Sequence, residues 1–321
     1  MANSNNQLQT AKKAREDEFY TQLCDIENEL RHYRTHFKGK TVLCNCDDPR
    51  VSNFFKYFAL NFEILGLKKL IATCYKNNEP DLFSMNTCEQ AVYIIYEGDK
   101  NGNRIPDPSE MEVLPLQGDG DFRSSECIEL LKQADIVCTN PPFSLFREYV
   151  AQLIKYEKKF LIIGNQNAIK YKEIFPLVMR DKIWMGYGFK RNCAHFFTKY
   201  EDTASDADHR EGMIRVPSVT WYTNLEIPRR HEQIILYKQY NPVDYPKYDN
   251  FDAINVDKTI DIPCDYDGVM GVPITFMYKY CPEQFEIVGV FNHGCDNEYD
   301  LAKPILNGKE LYTRIAIRKK Q

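Results

Sequence analysis

The chain has 321 residues, of which 43% are hydrophobic and 27% charged, with a formal net charge of −5. That length suits a core domain plus an appended module, and the composition is ordinary for a soluble globular enzyme. The negative balance excludes a surface coated wholesale with cations, and no apolar stretch approaches the roughly 20 residues that span a bilayer.

Met1 to Thr10 is Asn/Gln-rich and lacks the apolar run of a secretory leader. Residues 1–15, which end in Lys12, Lys13 and Arg15, therefore read as a mobile basic arm, and the expected compartment is cytoplasmic. A helix is expected over Asp25 to Tyr33, then a strand over Thr41 to Cys46. Val51, Phe54, Phe55, Phe58 and Phe62 recur at helical spacing, which predicts a helix from Pro49 to Leu65 closed by Gly66. Lys69 to Cys74 is the next strand. Val92 to Tyr96, with a turn at Gly98 to Gly102, suggests a peripheral hairpin insertion. A strand over Glu112 to Leu116 follows, then a helix over Ser125 to Gln133 with Cys127, Ile128 and Leu131 inward. Ala134 to Thr139 forms a strand. Leu145, Phe146, Tyr149, Val150, Leu153 and Ile154 mark a helix, Phe160 to Ile163 a buried strand, and Tyr171 to Met179 a further helix. From Lys182 onward short strands, such as Ser218 to Thr223 and Gln233 to Tyr237, alternate with loops.

Such alternation predicts an α/β fold, a mixed and mostly parallel sheet with helices on both faces, which binds ligands beyond the carboxyl ends of its strands. The loops that would converge there are Asp47-Asp48, Asp119-Gly120-Asp121-Phe122 and Asn140-Pro141-Pro142-Phe143.

The last of these carries the chemistry. Two prolines fix φ and push Asn140 toward extended backbone, so its amide is held rigidly. The Asn140 side-chain oxygen and the Pro141 carbonyl can accept both hydrogens of a planar exocyclic amine, while Phe143 stacks on its ring. Acceptors so placed favour a pyramidal nitrogen with an available lone pair, and no covalent intermediate is needed. The plain reading of the quartet is a proline-stiffened loop.

Eleven cysteines are present, an odd and scattered set without a Cys-x-x-Cys pair, so free thiols are expected. Cys44 and Cys46 share a strand face but lack a second ligand pair, and no metal is expected. Basic clusters occur at Lys68-Lys69, Arg229-Arg230-His231 and Arg314, Arg318, Lys319 and Lys320; each alone also reads as a solvated face or tail.

The quartet resembles the Asn-Pro-Pro-Phe element of S-adenosylmethionine-dependent amino-methyltransferases. Four stretches, the last of them containing the quartet, make the resemblance specific: Glu16 to Gln22, Cys44 to Phe58, Gly118 to Ser125 and Thr139 to Phe146. Together with Lys159 to Asn165, Tyr245 to Asn250 and Gly268 to Phe276, they resemble the EcoRI-type adenine-specific DNA methyltransferase family in the same order and over nearly the full length. The resemblance implies a Rossmann-like methyltransferase that methylates adenine N6 in duplex DNA by base flipping and direct in-line transfer, with S-adenosylmethionine as cofactor. It implies Asn140, Pro141, Pro142 and Phe143 as the catalytic turn. It also implies that Phe19, Tyr20 and Thr21 contact the methionine part of the cofactor, Asp47 and Asp48 its charged or ribose groups, and Asp121 and Phe122 its adenine, with Asp119 in the same loop.

Two departures stand out. The usual glycine-rich turn after the first strand is replaced by Asp47-Asp48-Pro49-Arg50, and the second strand ends in Cys74-Tyr75 without a ribose-holding acid. Each carboxylate also has a local reading: Asp48 before Pro49 suits a helix cap, and Asp119 and Asp121 suit a turn. Phe19 and Tyr20 likewise suit a staple of the first helix onto the core.

The division expected is an arm over 1–15, a cofactor-binding and catalytic core over 16–185, and target recognition with the remaining core strands over 186–321. Residues from about Tyr187 to Tyr240 show the least family character. The expected partner is double-stranded DNA, with no membrane and no metal; a restriction endonuclease is paired functionally but not bound, and the chain is a monomer. The alternatives are an RNA or protein amine N-methyltransferase and a non-catalytic DNA-binding relative. Cytosine C5 chemistry needs a cysteine nucleophile, and Pro263-Cys264 lacks the strand that should precede one.

Overall fold

A computed structural model describes residues 20–46, 48–50, 52–74, 90–103, 106–189, 193–197, 213–292 and 298–320. Two compact units emerge, one built from the chain up to Asn165 and from Gly186–Leu225, the other from Gln166–Met185 and from Glu226 onward.

The first unit opens with β1 (Tyr20–Thr21) and helix α1 (Leu23–Leu30), which buries Ile26, Glu29 and Leu30. Then come β2 (Thr41–Cys44), α2 (Asn53–Leu60), α3 (Phe62–Leu65), β3 (Lys69–Cys74), β4 (Val92–Tyr96) and β5 (Met111–Pro115). They are followed by α4 (Ser125–Gln133), β6 (Ile136–Thr139), α5 (Phe146–Lys155) and β7 (Lys159–Asn165). The chain then supplies α6 (Phe175–Met179) and β8 (Trp184–Met185) to the second unit, and returns with β9 (Cys193–Phe197), β10 (Met213–Pro217) and β11 (Val219–Thr223).

Within this unit the main sheet runs β5-β4-β3-β2-β6-β7-β11. Its centre is parallel, with β2 paired to both β3 and β6, and β6 to β7. Its flanks are antiparallel at β3/β4, β4/β5 and β7/β11. Every residue of β2 and of β6 is buried, as expected for central parallel strands, and this explains their unbroken apolar character. Because the chain leaves β2 for β3 on one side and later places β6 on the other, the order reverses between β2 and β6, the point at whose carboxyl ends sheets of this kind place their ligand crevice. A smaller antiparallel sheet, β1-β9-β10, completes the unit.

Three expectations are corrected. The helix begins at Asn53, because Ser52 caps it by accepting the Phe55 N–H at 3.4 Å, and it breaks at Asn61 into α2 and α3. Gly66 ends α3 with φ +62°, the left-handed cap expected of it. The Val92–Tyr96 strand is not peripheral. It lies inside the main sheet with Ile94 and Tyr96 buried, and the Tyr96 ring meets Phe62 edge-on at 5.0 Å. Gln233 to Tyr237 forms no strand. The Gln284 side-chain amide clasps it there, donating to the Ile234 carbonyl and accepting its N–H, both at 2.7 Å, and Ile235 is 85% exposed.

The second unit holds β12 (Ala253–Asn255), β13 (Val269–Pro273), β14 (Phe285–Phe291), the hairpin β15 (Ile305–Leu306) and β16 (Lys309–Glu310), and β17 (Arg314–Lys319). Its sheet runs β12-β13-β17-β14, over a core containing Tyr248, Ala253, Phe291 and Ala316. No helix among the described residues is long and apolar enough to cross a membrane.

Candidate functional site

The crevice is assembled by contacts between residues far apart in sequence. At the end of β2 the chain turns sharply, and Cys46 adopts φ +79°. Across the strand-order reversal the Thr139 hydroxyl, at the end of β6, donates to the Asn45 carbonyl. The Tyr149 hydroxyl, from α5, donates to Asn45 Oδ1. The Tyr149 ring in turn meets Phe122 edge-on at 5.0 Å, and Gln152, one turn further along α5, donates to the Phe122 carbonyl at 2.9 Å. The β2 end, the Asp119–Phe122 loop and the Asn140–Phe143 turn are thus fastened together through α5, the helix that the turn itself begins. Burial pushes the Tyr149 phenol well above its ordinary pKa, so it stays a hydrogen-bond donor.

Asn140 is 7% exposed. Pro142 adopts φ −53°, within the range its ring allows, with ψ 127°, and a 3-10 turn over Phe143–Leu145 leads into α5. The Pro142 carbonyl is taken by the Leu145 N–H at 3.0 Å, whereas the Pro141 carbonyl accepts no hydrogen bond among the described residues. Phe143 is half-buried at the head of the turn.

The carboxylates have partners of their own. Asp48 is 2% exposed and accepts the Arg50 N–H at 2.9 Å and its guanidinium at 2.7 Å, a two-residue clasp in place of a helix cap. Asp119 accepts the Asp121 N–H at 3.0 Å, and Asp121 accepts the Arg123 N–H at 2.8 Å and its guanidinium at 2.6 Å. Arg123 also reaches Glu148 at 2.9 Å and lies over the Phe122 ring at 5.3 Å, and the Asp121 bond holds its pKa above the usual value. Phe122 is 8% exposed.

Thr21 lies in β1, where its carbonyl accepts from the Asn53 side chain at 2.8 Å and its buried hydroxyl has no partner among the described residues. Of Tyr20 only the backbone, paired with Phe197, is described. Phe19 and Asp47 lie outside the described residues.

Sequence reasoning missed Asn45, Thr139, Tyr149 and Gln152 as members of this site. Asn45 sits between two cysteines that drew attention for their sulfur, and Tyr149 and Gln152 fall on a helix whose apolar spacing reads as core.

The basic clusters are largely matched by carboxylates. Arg230 is 6% exposed, stacks over Trp184 at 3.9 Å and pairs with Asp181 and, at 3.1 Å, with Glu226. His231 lies between Glu226 at 3.0 Å and Glu283 at 2.7 Å. Lys69, Arg318 and Lys319 face Glu97, Glu286 and Asp267.

A mixed α/β sheet with an Asn-Pro-Pro-Phe turn at the strand-order reversal, at the end of β6, is the arrangement of a Rossmann-like methyltransferase. Comparison with known proteins gives the particular kind. The family model described as adenine-specific methyltransferase EcoRI matches residues 7–320. The type II methyltransferase M.EcoRI of Escherichia coli is 53% identical, over 99% of this chain and 98% of its own length. Type II methyltransferase M.MgeORF184P of Mycoplasma genitalium is 37% identical over 97% and 98%, and M.MpnI of Mycoplasma pneumoniae 38% over 87% and 83%. The chain belongs to the EcoRI adenine-specific methyltransferase family. No solved structure matches it.

Proposed function

We propose that the chain is a site-specific DNA methyltransferase that transfers a methyl group from S-adenosylmethionine to adenine N6 in duplex DNA. The observation that carries this reading is the Asn140–Phe143 turn, held at the carboxyl end of β6 and fastened through Thr139 and Tyr149 to the end of β2.

The residues present fit the donor. The Thr21 hydroxyl is buried and unpartnered among the described residues, a costly state in a dry interior that a polar ligand would relieve. Thr21, with Phe19 and Tyr20, would hold the methionine part, Asp47 and Asp48 the charged or ribose groups, and Asp119, Asp121 and Phe122 the adenine end. When bound, the donor supplies a methyl group activated on a sulfonium.

The chain's own part is placement and polarisation. Asn140 Oδ1 and the Pro141 carbonyl accept the two amine hydrogens of the target, which localises the nitrogen lone pair for in-line attack. The base reaches them by leaving the duplex, and Phe143 stacks on it once it is extruded. The proton leaves afterwards to water or a nearby group. Burial pushes the Cys138 thiol in β6 up, so it stays protonated and does not serve as a nucleophile.

The region from residue 186 onward would read the target site and contribute the remaining core strands. A restriction endonuclease acting on the same sequence without binding the chain, a monomeric state and a cytoplasmic location complete the reading.

The test is transfer of labelled methyl from S-adenosylmethionine into duplex DNA by the purified chain. Label recovered as N6-methyladenine is the expected result. Label entering RNA or protein instead would favour an amine methyltransferase of another substrate class, and DNA binding without heat from the donor in calorimetry would favour a non-catalytic relative.

A further inference from the structure

Asn45 ends the central strand with its polar atoms in three different situations. Its backbone carbonyl accepts the Thr139 hydroxyl, its Oδ1 accepts the Tyr149 hydroxyl, and its Nδ2 has no hydrogen-bond partner among the described residues. The residue is only 7% exposed. An amide N–H2 that no protein group takes is open to an acceptor on a ligand.

Which end of the amide is free is not left to chance. The Tyr149 phenol is 1% exposed and burial keeps it protonated, so it arrives as an O–H donor and the amide oxygen is the end it meets. The N–H2 therefore lies away from Tyr149. Through that same Tyr149 ring the residue is coupled to Phe122, and through Thr139 to the strand end that bears Asn140.

With its oxygen engaged, Asn45 offers donors only. A donor-only group suits an acceptor-only partner, which a carboxylate is and a ribose hydroxyl is not. An N–H2 would repel a sulfonium, so the methyl-bearing sulfur is not its partner. We propose that the Asn45 side-chain N–H2 donates to the α-carboxylate of the methyl donor, and that Tyr149 is the positioning residue that fixes the amide's orientation. The inference rests on the methyl-donor reading of this site.

Calorimetry with S-adenosylmethionine, S-adenosylhomocysteine and methylthioadenosine, which lacks the amino-acid part, tests it. Asn45→Asp keeps the shape and the acceptor for Tyr149 but removes both donors. It is expected to weaken S-adenosylmethionine and S-adenosylhomocysteine alike by about ten- to a hundredfold, the range of a charge-assisted hydrogen bond, and to leave methylthioadenosine unchanged. Tyr149→Phe frees the amide to flip; it is expected to raise the KM for the donor several-fold, while methylthioadenosine affinity holds.

Binding of S-adenosylmethionine by Asn45→Asp within about twofold of wild type overturns the inference. So does equal weakening of methylthioadenosine. Should circular dichroism show Asn45→Asp unfolded, Tyr149→Phe decides alone, and a fall in kcat without a change in KM overturns the positioning role. A wild-type chain that binds no S-adenosylmethionine overturns the reading of the site itself, which distinguishes the two failures.

Discussion

The Thr139 hydroxyl donates to the backbone carbonyl of Asn45, joining the ends of β6 and β2 where the strand order reverses. Both residues are buried, so the carbonyl has no water to fall back on. Thr139→Val keeps the shape and removes the donor. Leaving a buried acceptor unpaired costs about 1–3 kcal/mol, and urea unfolding is expected to show a loss in that range. Because the same bond joins the two strand ends that carry the proposed site, methyl transfer is expected to fall by more than the lost stability accounts for. A variant as stable and as active as wild type would show that this bond is dispensable.

Asn140→Ala removes one of the two proposed amine acceptors while leaving the prolines that shape the turn. Loss of one preorganised group of this kind typically costs about 100- to 1,000-fold in turnover, and a fall of that order is expected in kcat. Cofactor affinity, measured separately by calorimetry, is expected to stay within a few-fold. Near-normal turnover would remove Asn140 from the mechanism.

Phe143 is half-buried at the head of its 3-10 turn, available for stacking. Phe143→Ala is expected to weaken capture of an extruded base by about 1–3 kcal/mol, the range for base stacking on an aromatic side chain, with little effect on the donor. Fluorescence of 2-aminopurine at the target position reads this directly. An unchanged signal on binding would count against the stacking role.

The parts of the site that were legible in the sequence are those written in local chemistry. Two prolines after an apolar run define the Asn140–Phe143 turn from neighbours alone, and Gly66 marks its helix end for the same reason. Partners separated by 104 residues, such as Tyr149 and Asn45, were not legible, because a helix position that faces a strand end looks like any other core position until the sheet is built. The strand character of Val92–Tyr96 was readable from its β-branched and aromatic residues, but its place inside the main sheet was not. Gln233 to Tyr237 failed in the opposite way: its residues favour a strand, yet the Gln284 side-chain amide takes the Ile234 hydrogen bonds that a ladder would need. Asp48 and Asp121 show a third limit, since each stands two residues before an arginine that claims it, and residue type alone does not tell a cofactor ligand from a clasp.

Gly164 in β7 faces the ring of Phe146 at the start of α5. A Cβ added there would stand 2.5 Å from that ring, and Phe146 is itself 2% exposed with little room to move. Gly164→Ala is expected to destabilise the chain by about 1–3 kcal/mol, the usual cost of overpacking a core. Since Phe146 begins the helix that carries Tyr149, activity is expected to fall alongside stability. An unchanged urea midpoint would mean that the β7–α5 contact is looser than its geometry.

In the second unit both ring nitrogens of His231 meet carboxylate oxygens, Glu283 at 2.7 Å and Glu226 at 3.0 Å. Carboxylates only accept, so the bridged ring is the doubly protonated imidazolium. The bond to Glu283, then that to Glu226, raises the His231 pKa above its ordinary 6.5. Its contribution to stability is therefore complete below 6.5 and is lost as pH rises through the raised folded value. Glu283 is held down to about 2 from an ordinary 4.5, first by Cys281 and then by His231, so its contribution is complete above 4.5 and is lost as pH falls through about 2. Both contributions are present together between pH 4.5 and 6.5. His231→Gln is expected to lower the melting temperature at about pH 5.5 and to lower it progressively less toward about pH 9, as the wild-type ring gives up its charge through the raised value. Thermal scans of both proteins across that range check this, and a deficit that is the same at both ends would show that the ring acts by packing and not by charge.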